Sequence, residues 1–321
     1  MTNKRSPQDE LHNLLAKTNK RSPQDELRNL LTKKRSFVAA EDKPIVLYLT
    51  CPDEPLPIRD DRALIDALER SGLAVHIRAD WRGGVDASSC RGLLPRGVWD
   101  YDEHPRALEA LLDAPGAWEP RDDARGILRC RDKRWLAGLK GAVPTRVALP
   151  GDDVGAALRD AKRRWTRVVA KPLVGTRGRG CVRLDDGEAL PEAGCLLQPY
   201  LEDVTVSGEK CLVFVDGDFS HAVRKKPQGW GAADDAWASM PVEAFDADDA
   251  LRAAAEGALA AVLPGLRPLV ARVDFLPAGD GAWLVSEVDC GWCELFLRAA
   301  PPGAADRVAA ALRERIRARA S

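Results

Sequence analysis

The stretch RVVAKPLVGTRGRGCVRL, residues Arg167–Leu184, gives the strongest indication of the fold of this chain. Its two apolar segments predict strands, and the loop between them contains three glycines and two arginines. Lys171 lies in the first apolar segment, where an ammonium group can reach a bound phosphate. Because backbone N–H groups of a glycine-rich loop can donate to phosphate oxygens, the pattern predicts a phosphate-binding hairpin. A charged hairpin on the protein surface is the alternative.

Two common nucleotide-binding motifs are absent from the sequence. A P-loop requires Gly-Lys followed by Ser or Thr, and neither combination occurs. The dinucleotide-binding fingerprint requires a third glycine and a following helix, whereas the segment after Gly178-Arg179-Gly180 predicts a strand. The loop is therefore predicted to lie between two strands and to cover phosphates as a flap.

A second hairpin, LVARVDFLPAGDGAWLVSEVD at residues 269–289, predicts a metal site. Glu287 and Asp289 point to the same side of one strand, about 7 Å apart, and Asp274 can face them from the other strand. Burial of three carboxylates together requires a cation, and oxygen ligands without histidine favour Mg²⁺. Arg272 shares the Asp274 face and can bind phosphate or a developing oxyanion. An exposed acidic hairpin end is the alternative.

The body of the protein is predicted to begin near Lys43. The order strand, helix, strand over residues 44–80 predicts a parallel α/β layer. A second module is predicted from about Arg129, with several strands, a helix at about 248–263 and a closing helix at 304–320. The predicted fold class is mixed α/β (α+β), with domains at 43–128, 129–198 and 199–321 after an arm at 1–42.

The arm contains a repeat, since TNKRSPQDEL occurs at residues 2–11 and again at 18–27. Each copy has the Ser-Pro start and following acid that are typical of a helix N-terminus. Residues 1–37 contain nine Lys or Arg and four Asp or Glu, so the arm carries +5 and the rest −6 of the net −1. This basic helical arm is interpreted either as a recognition segment that resembles the leader helix of a ribosomal peptide precursor, or as a recent duplication or cloning artefact. The second interpretation is favoured, because nothing in the arm is chemically reactive.

The composition excludes several classes of function. With 45% hydrophobic and 30% charged residues among 321, most of the chain is expected to fold. A net charge of −1 gives no general attraction to nucleic acid, and no apolar run approaches the ~20 residues that span a bilayer. The polar N-terminal residues do not show the apolar core that a secretory signal requires, and the eight cysteines follow no disulfide spacing. We therefore expect a cytoplasmic protein with reduced thiols and no membrane partner.

The strand lysine, the glycine flap, the apolar hinge LLQPYLED and R-V-D followed by E-x-D together resemble the ATP-grasp superfamily. The resemblance is closest to its glutathione-synthetase-like group, which includes the D-cycloserine-forming ligases. It covers the chain from Pro44 onward through the motifs WDY (Trp99–Tyr101), DKRW (Asp132–Trp135), AKPLVGTRGRG (Ala170–Gly180) and QPYLEDVTVSGEKCLVFVDGDFSHAVRKKP (Gln198–Pro227). It implies an ATP-grasp fold, an ADP-forming ligase, and ATP with one or two Mg²⁺ ions as cofactors.

The resemblance also implies a role for each residue of the candidate site. Contacts with ATP phosphates are implied for Lys133 and Lys171, beneath a flap made by Gly175, Thr176, Gly178 and Gly180. An adenine and ribose hinge is implied for Gln198, Tyr200, Leu201 and Asp203. Metal ligation is implied for Asp274, Glu287 and Asp289. Catalytic contacts with the transferred phosphate and the oxyanion are implied for Arg272, Arg224 and Lys226.

Two features depart from the family pattern. The last metal position is usually Asn or Glu, whereas here it is Asp289, whose reach is shorter. The segment CGWCE, Cys290–Glu294, replaces a stretch that usually lines the acceptor pocket, so the resemblance does not imply the acceptor. Cys290 and Cys293 also match the CxxC motif of thioredoxin-like and zinc sites, but no second CxxC accompanies them.

Three functions remain open from the sequence. The first is a ligase that joins a carboxylate to an amine or another nucleophile through an acyl phosphate, in specialised-metabolite biosynthesis. The second is a peptide-modifying ligase, similar to those of graspetide biosynthesis, that uses the repeated arm as a fused leader. The third is a non-catalytic ATP-binding protein, which the presence of Lys171, Arg272, Asp274 and Glu287 disfavours. The expected partners are a small carboxylate or a peptide, and related ligases suggest a homodimer.

Overall fold

The computed structural model describes residues 43–116, 118–184, 194–226 and 241–320. The predicted helical arm at 1–42 lies outside these residues, so it stays a prediction. Residues Lys43–Ser321 form one compact unit. No helix within the described ranges is both long and apolar enough to cross a lipid bilayer.

The N-terminal part is a parallel sheet, which confirms the prediction from the strand–helix–strand pattern. β1 (Ile45–Thr50) lies between β2 (Ala74–Arg78) and β3 (Gly92–Gly97), and both neighbours are parallel to it. Five of the six residues of β1 are buried, as expected for the apolar central strand of a parallel sheet. α1 (Asp61–Arg70) connects β1 to β2 and packs its apolar face on the sheet.

Two helices follow this sheet, α2 (Pro105–Leu112) and α3 (Arg121–Cys130). Pro105 occupies the first turn of α2, where a missing N–H group is harmless. α3 spans residue 128, the first predicted domain boundary, and the division of the chain at 128 and 198 stays a prediction.

The central part contains the glycine-rich hairpin. β4 (Arg146–Ala148) precedes α4 (Val154–Arg164), which covers a four-stranded antiparallel sheet in the order β4-β7-β5-β6. The other strands of this sheet are β5 (Val168–Pro172), β6 (Val182–Arg183) and β7 (Cys195–Pro199). β5 and β6 pair antiparallel on either side of the loop, so the predicted strand–loop–strand hairpin is confirmed.

The C-terminal sheet carries the acidic hairpin. This sheet follows α5 (Val204–Ser207) in the chain. Its five strands are β8 (Glu209–Val215), β9 (Asp218–Lys225), β10 (Val242–Ala244), β11 (Val270–Pro277) and β12 (Trp283–Cys290). They are antiparallel and lie in the order β10-β9-β8-β11-β12. α6 (Asp249–Val262) and α7 (Ala304–Ala320) complete the described elements. β11 has a neighbour on each side and buries seven of its eight residues, so its charged side chains lie inside the protein.

One buried carboxylate of α3 affects the stability of this fold. Asp123 is 2% exposed, and its Oδ1 accepts a hydrogen bond from the backbone N–H of Leu269. Among the described residues, no donor reaches its Oδ2. Burial raises the pKa of Asp123 to about 7, because an apolar environment disfavours the ionised form.

Replacement of Asp123 by asparagine is therefore expected to flatten the pH dependence of stability. The folded pKa of about 7 lies above the unfolded value of about 3.9. The contribution of Asp123 to the free energy of unfolding is therefore complete below about pH 4 and is lost as the pH rises to neutrality. From pH 4 to pH 7, the free energy of unfolding should fall by about 2–4 kcal/mol more in the wild type than in D123N. Urea denaturation at several pH values measures both slopes, and equal slopes would contradict the prediction.

Candidate active site

The register of β11 and β12 places four charged residues on one face of the C-terminal sheet. Asp274 lies opposite Glu287, and Arg272 lies opposite Asp289. Directly opposed residues of an antiparallel pair project to the same side of the sheet. The shared face that the sequence predicts for these residues is therefore present. We call it the acid face.

Asp274 is neutralised within the acid face. It is 2% exposed, and its two oxygens accept hydrogen bonds from Arg272 Nε at 2.7 Å and Arg272 Nη2 at 2.8 Å. Lys225 Nζ lies 3.3 Å from Oδ2 of the same carboxylate. Burial alone would raise the pKa of Asp274, but the two cations hold it well below its usual range. The site thus contains a fixed group of two cations around one carboxylate.

Lys225 belongs to this site, whereas the sequence analysis selected Arg224 and Lys226 on either side of it. It is 5% exposed and also lies 3.0 Å from Glu209. Arg224 and Lys226 are not brought to the acid face, because both are exposed and bind Glu243, at 2.8 Å for Arg224 Nε and 3.0 Å for Lys226 Nζ. Since side chains of a strand alternate, Lys225 of β9 points inward where Arg224 points outward. The sequence carried no signal for this assignment, because Ala222 and Val223, which precede the three cations, are both apolar and both buried.

Lys133 joins the acid face to the glycine flap. It begins a 3₁₀ turn over Lys133–Gly138, and its Nζ donates to the backbone oxygen of Gly175 at 2.6 Å. The same Nζ lies 3.3 Å from Glu287 Oε1. Burial would lower the pKa of Lys133, but the Glu287 carboxylate outweighs this effect and raises it. The predicted flap and the predicted acidic strand therefore meet at one lysine.

The flap has a backbone that requires glycine. Gly180 has φ +70°, and a Cβ at this position would lie 2.8 Å from Pro172 Cγ. The turn is closed by a hydrogen bond from Arg179 N to Thr176 O at 3.0 Å. Lys171 lies in β5 opposite Leu196. Burial would raise the pKa of Glu287, but Lys133, with smaller contributions from Arg272 and Lys171, lowers it. The flap is thus a tight loop, and the predicted Lys171 lies in β5, the strand that leads into it.

The flap arginines bind the N-terminal part of the chain. Arg177 forms an ion pair with Glu54, and its guanidinium lies 4.5 Å from the ring centroid of Trp99. Arg179 donates to the backbone oxygen of Trp99 and lies 3.3 Å from Asp102. These contacts hold the flap on the segment that carries the WDY motif.

The predicted hinge follows β7, where the chain turns into α5. The side-chain amide of Gln198, which is 2% exposed, donates to the Thr145 hydroxyl at 2.8 Å and supports the central sheet. Tyr200, Leu201 and Asp203 come next, and the backbone oxygens of Leu201 and Asp203 accept the first hydrogen bonds of α5. The role of these four residues as an adenine hinge stays a proposal.

Asp289 is oriented by the CGWC segment. Its Oδ1 accepts hydrogen bonds from the Cys290 backbone N–H at 2.9 Å and from Trp292 Nε1 at 2.6 Å. Burial raises the pKa of Asp289 to about 6. Burial also raises the pKa of the Cys293 thiol, which is the opposite of what a reactive CxxC thiol requires. The segment therefore supports a carboxylate, and sequence reasoning missed this role of Trp292.

The three predicted metal ligands are not gathered as tightly as the sequence suggested. Among the described residues, the group of acid or thiol ligand atoms within 4.8 Å of one another is Glu209, Cys211 and Asp274. Glu287 and Asp289 lie on the same face without joining this group. The repulsion expected among three carboxylates is relieved by internal cations, because Asp274 and Glu287 each have a lysine or arginine partner.

The donor set nevertheless fits a divalent cation. Glu287 and Asp289 supply hard carboxylate oxygens on one face, as Mg²⁺ prefers. Within the described part of the chain, Asp289 Oδ2 accepts no hydrogen bond, whereas Oδ1 is fixed by two donors. Lys133 and Lys171 bring positive charge next to these carboxylates, as a bound polyphosphate requires.

The sequence is similar to a protein of cycloserine biosynthesis. It is 32% identical over 301 residues to the cycloserine biosynthesis protein DcsG of Streptomyces lavendulae. The matched region covers 85% of this chain and 99% of the relative. Residues 46–119 match the family profile described as D-cycloserine synthetase DcsG, N-terminal domain.

Solved structures share the fold. The crystal structure of D-cycloserine synthetase DcsG has a TM-score of 0.71 and 29% identity, with 85% of this chain and 99% of that chain covered. The ATP-grasp ligase PsnB, complexed with a minimal precursor, Mg and ADP, has a TM-score of 0.56 and 17% identity, with 85% and 98% covered, and this likeness concerns the fold alone. The mixed α/β sheets, the flap over the acid face and the similarity to the Streptomyces protein agree, and the chain belongs to the DcsG family of ATP-grasp ligases.

Proposed function

We propose that this ligase uses ATP to join a carboxylate to an amine or another nucleophile through an acyl phosphate, in the biosynthesis of a specialised metabolite. The observation that carries the proposal is the position of Lys133, whose Nζ contacts both the flap at Gly175 and the carboxylate of Glu287. One site therefore offers a phosphate cover, cations and carboxylates together. Membership in the DcsG family supports the same reaction class.

The binding roles that we propose combine this arrangement with the family resemblance. Lys133 and Lys171 hold the ATP phosphates, and the flap from Gly175 to Gly180, with Thr176 and Gly178, covers them. The hinge of Gln198, Tyr200, Leu201 and Asp203 holds the adenosine through its backbone groups. Asp274, Glu287 and Asp289 hold one or two Mg²⁺ ions, which neutralise phosphate charge when bound.

The chain's own residues then serve two chemical steps. In the first, a carboxylate oxygen of the substrate attacks the γ-phosphorus, the bond to the β-phosphate oxygen breaks, and ADP leaves. In the second, the nucleophile attacks the acyl carbon, loses its proton, and phosphate leaves. Arg272 and Lys225, fixed by Asp274, supply positive charge to the transferred phosphoryl group and the oxyanion. The closed flap excludes water, which would otherwise hydrolyse the acyl phosphate.

A screen of small carboxylic acids with ATP and Mg²⁺ tests the proposal. Amino acids come first, because the related synthetase is named for D-cycloserine. We expect ADP release that depends on one carboxylate, and hydroxylamine should convert its acyl phosphate to a hydroxamate. If neither small carboxylates nor peptides stimulate ADP release, the proposed function is wrong.

A second candidate is a peptide-modifying ligase, favoured by the duplicated TNKRSPQDEL sequence. In this reaction the arm would act as a fused leader. Deletion of residues 2–37 should then strongly reduce turnover of a peptide substrate. Unchanged turnover after the deletion favours the small-molecule reaction. A homodimer and a cytoplasmic location also stay proposals.

A further inference from the structure

The backbone oxygen of Gly175 in the flap accepts two hydrogen bonds. One comes from Lys133 Nζ at 2.6 Å, and the other comes from the Tyr101 hydroxyl at 3.0 Å. Lys133 continues to Glu287 at 3.3 Å, so one path already joins the flap to the acid face. The Tyr101 bond begins a second path that the proposed reaction does not use.

The second path reaches the other carboxylate of β12. The ring of Tyr101 stacks on Trp292, with centroids 4.3 Å apart and planes at 25°. Trp292 Nε1 in turn donates to Asp289 Oδ1 at 2.6 Å. Both aromatic side chains are 5% exposed. The flap carbonyl is therefore connected to Glu287 through Lys133 and to Asp289 through Tyr101 and Trp292.

The stacked pair is held in a rigid setting. Arg96 is 1% exposed, and its Nη1 donates to the backbone oxygens of Gly291 at 3.1 Å and Cys293 at 2.6 Å. These residues flank Trp292, and Arg96 is itself fixed by a two-bond pair with Asp61. The backbone on both sides of Trp292 is therefore tied to the N-terminal sheet, and the Trp292 side chain contacts both Tyr101 and Asp289.

We infer that Tyr101 and Trp292 are positioning residues that couple closure of the flap to the orientation of the Asp289 carboxylate. The inference rests on the proposed function, because it assigns Asp289 to cation binding. If a closed flap favours the carboxylate orientation that holds the cation, then by linkage the bound cation and nucleotide favour the closed flap to the same extent. Groups that orient a metal ligand typically contribute about 10- to 100-fold to metal affinity.

Trypsin digestion of the full chain tests the inference without measuring activity. Arg177 and Arg179 are cleavage sites within the flap, and mass spectrometry identifies fragments that end at either residue. In the wild type, Mg²⁺ with a non-hydrolysable ATP analogue should slow this cleavage. In W292F, which loses the Nε1 donor, and Y101F, which loses the hydroxyl, the Mg²⁺ concentration for half-maximal protection should rise about tenfold or more.

One matched variant controls for the loss of a buried hydrogen bond. Trp118 Nε1 donates to the Ala114 backbone oxygen at 3.1 Å. W118F should retain the wild-type Mg²⁺ requirement. Since Tyr101 and Trp292 act in series, the double variant should require no more Mg²⁺ than the more affected single variant.

The outcomes separate the two proposals. Absence of protection in the wild type would refute the proposed binding of Mg²⁺ and ATP beneath the flap. Protection of the wild type with an unchanged Mg²⁺ requirement in W292F and Y101F would overturn the coupling alone. Additive effects in the double variant would also overturn it, because they would show two independent paths.

Discussion

Replacement of Lys225 by methionine is expected to reduce the rate of ATP turnover about 100-fold, whereas replacement of Arg224 should change it by less than about threefold. Lys225 is 5% exposed and lies 3.3 Å from Asp274 and 3.0 Å from Glu209. Its loss removes positive charge from the acid face, where the proposed reaction develops negative charge on the phosphoryl group. The side chain of Arg224 is 46% exposed and binds Glu243 on the opposite face.

The two variants differ by one position in the same strand, so each controls for the other. Carboxylate-dependent ADP release measures turnover, and circular dichroism with urea denaturation shows whether either variant has lost its fold. Lys226→Met serves as a third variant, because Lys226 also binds Glu243. A loss in R224M as large as that in K225M would show that the inward and outward assignments are wrong.

The sequence was sufficient to predict part of the acid face. The period of two in β12 places Glu287 and Asp289 on one side. Asp274 lies opposite Glu287 because the register of β11 and β12 shifts between Asp274 and Phe275, which the alternation alone does not predict. The flap was also predictable, because glycines between two predicted strands favour a tight loop. Gly180 confirms this requirement through its positive φ and its approach to Pro172.

The sequence was not sufficient to choose among the consecutive cations Arg224, Lys225 and Lys226. The choice depends on the register between β8 and β9, which shifts at an irregularity between Val213 and Phe214. A shift of one residue exchanges the inner and outer side chains of a strand, and no local pattern determines it.

Contacts between distant segments were equally inaccessible to sequence reasoning. Arg96 binds the carbonyls of Gly291 and Cys293, and Tyr101 stacks on Trp292, although about 190 residues separate the partners in each case. The sequence around each of these residues gives no indication of its contact. The contact depends on how the N-terminal sheet packs against the end of β12. The neutralisation of Asp274 by Arg272 and Lys225 depends on packing in the same way.

Replacement of Arg272 by methionine is expected to lower the free energy of unfolding by about 3 kcal/mol and to abolish measurable turnover. Arg272 is 8% exposed and makes two hydrogen bonds to Asp274, which is 2% exposed. Its removal leaves a buried carboxylate with Lys225 as its remaining cation. Loss of one partner of a buried pair costs about 3–5 kcal/mol, and Lys225 at 3.3 Å keeps the expected loss near the lower limit.

The double variant R272M/D274N tests whether the unpaired carboxylate causes the loss of stability. Without a charge at residue 274 there is no unpaired carboxylate to bury, so urea denaturation should show recovery of most of the lost stability, while ADP release should stay absent. Both outcomes follow from one arrangement, in which Asp274 holds Arg272 in place at the cost of burying a charge. If the double variant is as unstable as R272M, the uncompensated charge is not the cause of the instability. If R272M retains turnover, the oxyanion role belongs to another cation of the acid face, with Lys225 as the first to be tested.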